Sequence, residues 1–213
     1  MPNGADRSLW RDQSGVAMIE FALTLPIVVV LGLGALETAN LALAHLRVSQ
    51  IAMTVADNAG RVTSAIDEVD IVEVFAGAES VGQAIDFQQN GRVVLSSLQD
   101  NMNTNATLRG PMINWQRCFG SLAVAPSYGR EGKGRSDATL RPGMGPAGRE
   151  IAALANTAVM FVEVSYNYQP MVKAVLRPQV IRYESAFNVR ERTLLNITNT
   201  TGRAVATCPP AGS

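Results

Sequence analysis

Glu20 is the only ionisable side chain within the apolar run from Val16 to Leu36. It follows Gly15 in the stretch Gly15-Val16-Ala17-Met18-Ile19-Glu20-Phe21, at the mouth of an apolar run that reaches Leu36. A carboxylate there costs on the order of a few kcal/mol even on lenient membrane-insertion scales, so its presence points to a task. The chemistry open to it is charge pairing, because an isolated ion in lipid or in a helix bundle is strongly disfavoured while an ion pair is tolerable. The alternative is a glutamate at headgroup level, hydrated and without a partner.

The remaining reactive groups do not assemble into a catalytic centre. His45 is the sole histidine, and nucleophilic catalysis needs a base held in a cleft by a third group. It reads as an interfacial residue. No histidine and cysteine cluster has zinc spacing. Gly129-Arg130-Glu131-Gly132-Lys133-Gly134 has a glycine where a phosphate loop needs Ser or Thr after the lysine, and no apolar strand leads into it. Asp67, Glu68, Asp70 and Glu73 are crowded, but in a helical pattern unlike a calcium loop. Asn105-Ala106-Thr107 and Asn196-Ile197-Thr198 match glycosylation sequons, a pattern frequent by chance. Acidic and basic residues balance at 18 each, without a run of like charge, which argues against a nucleic-acid partner. No catalytic residue, metal or cofactor is expected.

The element that positions Glu20 is a helix. From Val16 to Leu36 the chain offers about 20 largely apolar positions, the length needed to cross a bilayer core. Arg7 and Arg11 precede this span and no basic residue follows until Arg47, which places the N-terminus in the cytoplasm and the rest in the periplasm. Pro26, Gly32 and Gly34 are residues that membrane helices tolerate, and Pro26 marks a kink. A secretory signal peptide cut after Ala44 is the rival. It fits badly, because the apolar run exceeds an h-region of about 7–15 residues and Glu37, Thr38 and Asn40 intervene.

These residues resemble the class III signal of type IV pilin-like proteins, specifically the TadE/TadG-like pilus assembly family. The resemblance rests on Gly15, Glu20, Phe21 and the continuation Ala22-Leu23-Thr24-Leu25-Pro26. It implies that a prepilin peptidase cuts between Gly15 and Val16, leaving Glu20 and Phe21 fifth and sixth in the mature chain. Glu20 of an entering subunit would then meet a neighbour's new α-amino group and set the axial register. Ile113 to Cys118 and Phe161 to Pro170 are similar to sheet segments of TadE-like heads.

Past the span, Leu41, Ala44, Val48, Ile51, Val55 and Val62 recur at helical spacing. The helix therefore continues as an amphipathic stem, on which a head packs or through which subunits meet. A second helix is expected from Ser64 as N-cap, with Asp67 and Glu68 in its first turn, running to about Phe87 with interruptions near Gly77 and Gly82. Strands are expected at Arg92–Leu98, Met112–Cys118, Met160–Tyr168 and Ile181–Arg190, the first two as a hairpin across a turn-rich connection. The segment 127–148 is rich in Gly, Arg and Pro, too polar to contribute a core, and reads as a flexible surface loop. Met171 to Pro178 is a second connection.

Cys118 and Cys208 are the only cysteines, and in an oxidising periplasm they can form a disulfide that fastens the Pro-rich tail. The alternative is two unrelated buried thiols.

The expected architecture is an α+β fold, pilin-like, with a long N-terminal helix packed on a periplasmic antiparallel sheet. Its parts are a cytoplasmic leader at 1–15, a transmembrane helix and stem at 16–62 and a head at 63–213. The expected function is that of a TadE-like minor pilin or pilus-assembly protein of a Tad-type secretion system, held in the bacterial inner membrane and incorporated into or priming a pilus for adhesion. Its partners would be prepilin peptidase, other pilins and assembly subunits, and inner-membrane lipid. The rivals are an uncleaved signal-anchored scaffold of the secretion machine and a secreted enzyme released after Ala44.

Overall fold

The computed structural model describes residues 14–173, 175–190 and 192–208. The leader up to residue 13, including Arg7 and Arg11, lies outside the described residues. The chain forms two compact units, one of Met1–Ala42 with Pro170–Arg177 and the other of Leu43–Gln169 with Pro178–Ser213. One helix, α1 (Ser14–Arg61), supplies residues to both.

In the first unit α1 is apolar and almost bare. Between Gly15 and Ala42 the only buried residue is Glu37. Burying an exposed Val, Leu, Ile or Phe is worth about 1.5–3 kcal/mol each, so a surface of this kind is unstable in water and suits lipid. The helix is long and apolar enough to cross a membrane. Pro26 lies inside it, and its ring leaves the carbonyl one turn earlier without its usual donor. Nearby, the Thr24 hydroxyl donates to the carbonyls of Glu20 at 2.9 Å and Phe21 at 3.2 Å.

The second unit is the head. Strands β2 (Gly91–Asp100), β3 (Pro111–Phe119), β4 (Ala158–Tyr168) and β5 (Gln179–Asn188) form an antiparallel sheet in the order β3-β2-β4-β5. The hairpin β2–β3 and the two later strands occur where the apolar patterning placed them. On one face lies the last part of α1, whose Ala44, Val48, Ile51, Ala52, Val55, Ala56 and Ala59 are all buried. This is a stripe at spacings of three and four, and its alanines allow close approach. The stem's role is thus to pack the head.

Helix α2 (Glu68–Gly82) lies beside it: Arg47 of α1 donates to the Val81 carbonyl, and a Cβ on Gly82 would stand 2.5 Å from Phe87 and 3.2 Å from Ile51. Phe87 belongs to the short helix α3 (Phe87–Asn90) and stacks on Tyr166 of β4.

Three expectations are corrected. Ser64 does not cap a helix; it opens a strand, β1 (Ser64–Asp67), which pairs in parallel with β6 (Arg192–Thr198). Asp67 is the cap instead. Its side chain accepts from the Val69 amide at 3.1 Å while Asp70 accepts from its own N–H at 2.7 Å, a reciprocal arrangement that satisfies orphan donors. The second helix is interrupted at Gly82, as expected, by a 3-10 turn and Asp86 at φ 48°, but it runs unbroken through Gly77, where an interruption was also expected.

The third correction concerns the segment 127–148. Its Leu140 and Met144 are buried in a cluster with Leu98, Ile113, Val159 and Phe161, with Tyr128 packed against it. The segment also lines the outer edge of β3, where Ile113 exchanges backbone hydrogen bonds with Lys133 and Gly132 at 2.9 and 2.8 Å. Gly134 makes that approach possible: at φ +82° its Cβ would lie 2.3 Å from the Pro111 carbonyl oxygen. Both faces of the sheet are therefore covered, so every residue from Gly91 to Gln99 is buried.

Candidate assembly site

Gly15, Val16, Glu20 and Phe21 all lie in the first two turns of α1 and all are exposed. The Gly15–Val16 bond lies in the first described turn of α1. Val16 and Glu20 are one turn apart, about 6 Å along the axis by helix geometry. A free amine at Val16 would thus stand on the same face as the carboxylate. Among the described residues nothing pairs with the Glu20 carboxylate. Phe21 is 62% exposed and adds an aromatic face beside it.

Residues 15–57 match the family described as TadE-like protein. Over this N-terminal stretch the chain is similar to TadE-like proteins. The matched stretch takes in the Gly15/Glu20 motif, the apolar run and most of the stem; the head segments at 113–118 and 161–170 lie beyond it. No curated protein and no solved structure matches the chain. The matched family is one of pilus assembly, so residues 15–57 are similar to a pilus-related component.

The other singled-out residues have structural partners in the head. His45 makes an edge contact with Tyr183 of β5, its Nδ1 lying 3.3 Å from the phenolic oxygen. It docks the stem on the sheet. Ala44, which precedes the alternative cleavage point, is buried in mid-helix. Cys118 and Cys208 form a disulfide, closing a separation of 90 residues. The Cys118 amide also donates to the Ala206 carbonyl of the tail at 2.8 Å, so the C-terminal segment is tied to the edge of β3 twice.

The crowded carboxylates are likewise engaged. Glu68 is 3% exposed and takes Arg117 Nε at 2.8 Å and Nη2 at 2.5 Å, joining the start of α2 to β3. Arg117 reaches Glu131 as well, at 3.1 Å, so the glycine-rich loop contributes to an ion-pair network. Asp67 accepts from the Thr200 amide at 2.8 Å and the Thr198 hydroxyl at 2.9 Å. These bonds, led by the backbone amides of Thr200 and Val69, lower its carboxyl to about 2.

Sequence reasoning missed two acids. Glu37, fully buried, accepts from the Val172 amide through Oε2 at 2.9 Å; its sequence signal was only its position directly after the apolar run. Glu163 of β4 is buried under the 127–148 segment, where Oε1 accepts from the Ser127 amide at 2.8 Å and Oε2 has no protein partner. Desolvation raises its carboxyl above the ordinary range. An open recess of about 550 Å³ on this side of the sheet is lined by Arg149, Arg182, Glu184 and Phe161. Tyr128 donates to Glu184 at 2.9 Å, and its phenol is pushed up to about 12, mainly by burial, so it is no proton acceptor near neutral pH.

Proposed function

We propose that this protein is a minor pilin or pilus-assembly subunit of a Tad-type secretion system, anchored in the bacterial inner membrane by α1 with its head in the periplasm. The observation that carries this reading is Glu20, an exposed acid without a described partner on a bare apolar helix, inside the TadE-like stretch. A carboxylate so placed gains stability only when a cation reaches it after both are withdrawn from water.

Prepilin peptidase removes the leader after Gly15, which creates a cation at Val16. The subunit then enters a helix bundle, and Glu20 satisfies the amine of an adjoining subunit, with Phe21 packing beside the pair. Other pilins and assembly proteins are its partners, and lipid is its resting solvent. The head's disulfide suits the oxidising compartment to which the charge bias assigns it.

The test is the mass of the N-terminus in membrane and pilus fractions. The reading expects a mature chain beginning at Val16 and present in sheared pili or in the assembly complex. An intact Gly15–Val16 bond in piliated cells favours the uncleaved scaffold; a soluble product beginning at His45 favours the secreted form.

A further inference from the structure

The connection between β4 and β5 belongs, by its contacts, to the unit built on the apolar helix and not to the head. We propose that this connection is a second membrane contact, seated among anionic lipid headgroups at the end of the span. The proposal rests on the reading of α1 as membrane-spanning.

Glu37 follows the last residue of the apolar run, Leu36, and is the single buried residue of the helix up to Ala42. What it holds is the backbone of the connection, through the Val172 amide at 2.9 Å. A turn follows, in which the Val175 amide donates to the Val172 carbonyl at 2.9 Å. The loop is thereby fixed at the level along the helix where hydrocarbon gives way to headgroups.

Its outward side chains match that level. Met171 is 68% exposed and Val175 39%, and they alternate with the exposed cations Lys173 and Arg177. In water two bare apolar groups would be a cost without return, whereas at an interface they enter the acyl boundary while long basic side chains reach the phosphates. The segment 170–177 contains no acid to offset its two cations, so its charge complements an anionic surface.

The experiment uses the full chain in vesicles, with an environment-sensitive dye on a single introduced cysteine at Met171, Val175 or Val30; the native cysteines are consumed in their disulfide. Phosphatidylcholine vesicles are compared with vesicles holding an equal part of phosphatidylglycerol. The proposal expects dyes at Met171 and Val175 to be quenched by a spin label near the headgroup, shielded from aqueous iodide, and more so with phosphatidylglycerol. Lys173→Gln with Arg177→Gln should abolish that lipid preference. Iodide quenching at Met171 and Val175 equal to that of the free dye, with the Val30 dye still reached by a deep lipid quencher, overturns the inference and leaves the span standing. A Val30 dye out of reach of the deep quencher overturns the span itself.

Discussion

Asp67 and Glu163 are acids held in opposite environments, and acid titration separates them. Asp67 is stabilised as a carboxylate, with its pKa lowered from 3.8 to about 2. Its contribution is complete above the unfolded value and is lost as pH falls through the folded one. Asp67→Asn should therefore lower stability at neutral pH, and the gap between variant and parent should close between about pH 4 and pH 2. Glu163 has the reverse sign: a carboxyl raised above 4.5 prefers its proton in the folded state, so stability is greatest below the unfolded value and declines as pH rises towards the folded one. Glu163→Gln keeps an acceptor for the Ser127 amide and removes the buried charge. It should match the parent in acid and exceed it near neutral pH, read by denaturant unfolding in detergent. A less stable variant near neutral pH would show that the buried charge is compensated after all.

At the level of elements, the layer over the sheet makes the sharpest claim. Met144 is fully buried beside Leu98 and Phe161. Met144→Ala should cost about 2–5 kcal/mol, the range for truncating a core side chain. A loss below about 0.5 kcal/mol, as at an ordinary surface site, would mean that the segment does not close the core. This layer was illegible in sequence because two apolar residues in a Gly, Arg and Pro-rich stretch show no period. The sheet beneath it and the stem were legible, since Val93 to Leu98, Met160 to Tyr168 and the Ala44–Ala59 stripe keep regular spacing. The parallel pair β1–β6 was hidden for another reason: its strands are short, their paired residues Ser64 and Arg192 lie 128 positions apart in sequence, and only tertiary pairing defines them. The capping of α2 by Asp67 was missed because Ser64 offered the same chemistry three residues earlier, and the local choice fell to Asp70 answering from inside the helix.

For the whole molecule, the TadE-like resemblance of the N-terminal stretch was legible and the role of Glu37 was not. Gly15, Glu20 and Phe21 form a contiguous signal, and the TadE-like match begins at residue 15. Glu37 acquires its meaning from Val172, which lies 135 residues further along the chain. The two acids divide the helix: Glu37 is spent on the protein's own backbone, whereas Glu20 is exposed and, in the proposed reading, is there to meet a cation from another molecule. That contrast is the physical content of the assembly account. Removing the second acid should leave the anchored monomer intact and disable its association. The most direct measurement is the piliation of cells carrying Glu20→Ala, scored beside membrane extraction and the mass of the mature N-terminus. The account predicts a chain that inserts and is processed after Gly15 as before, with pili absent or severely reduced; pili in normal number and length, built with the processed variant, would contradict it.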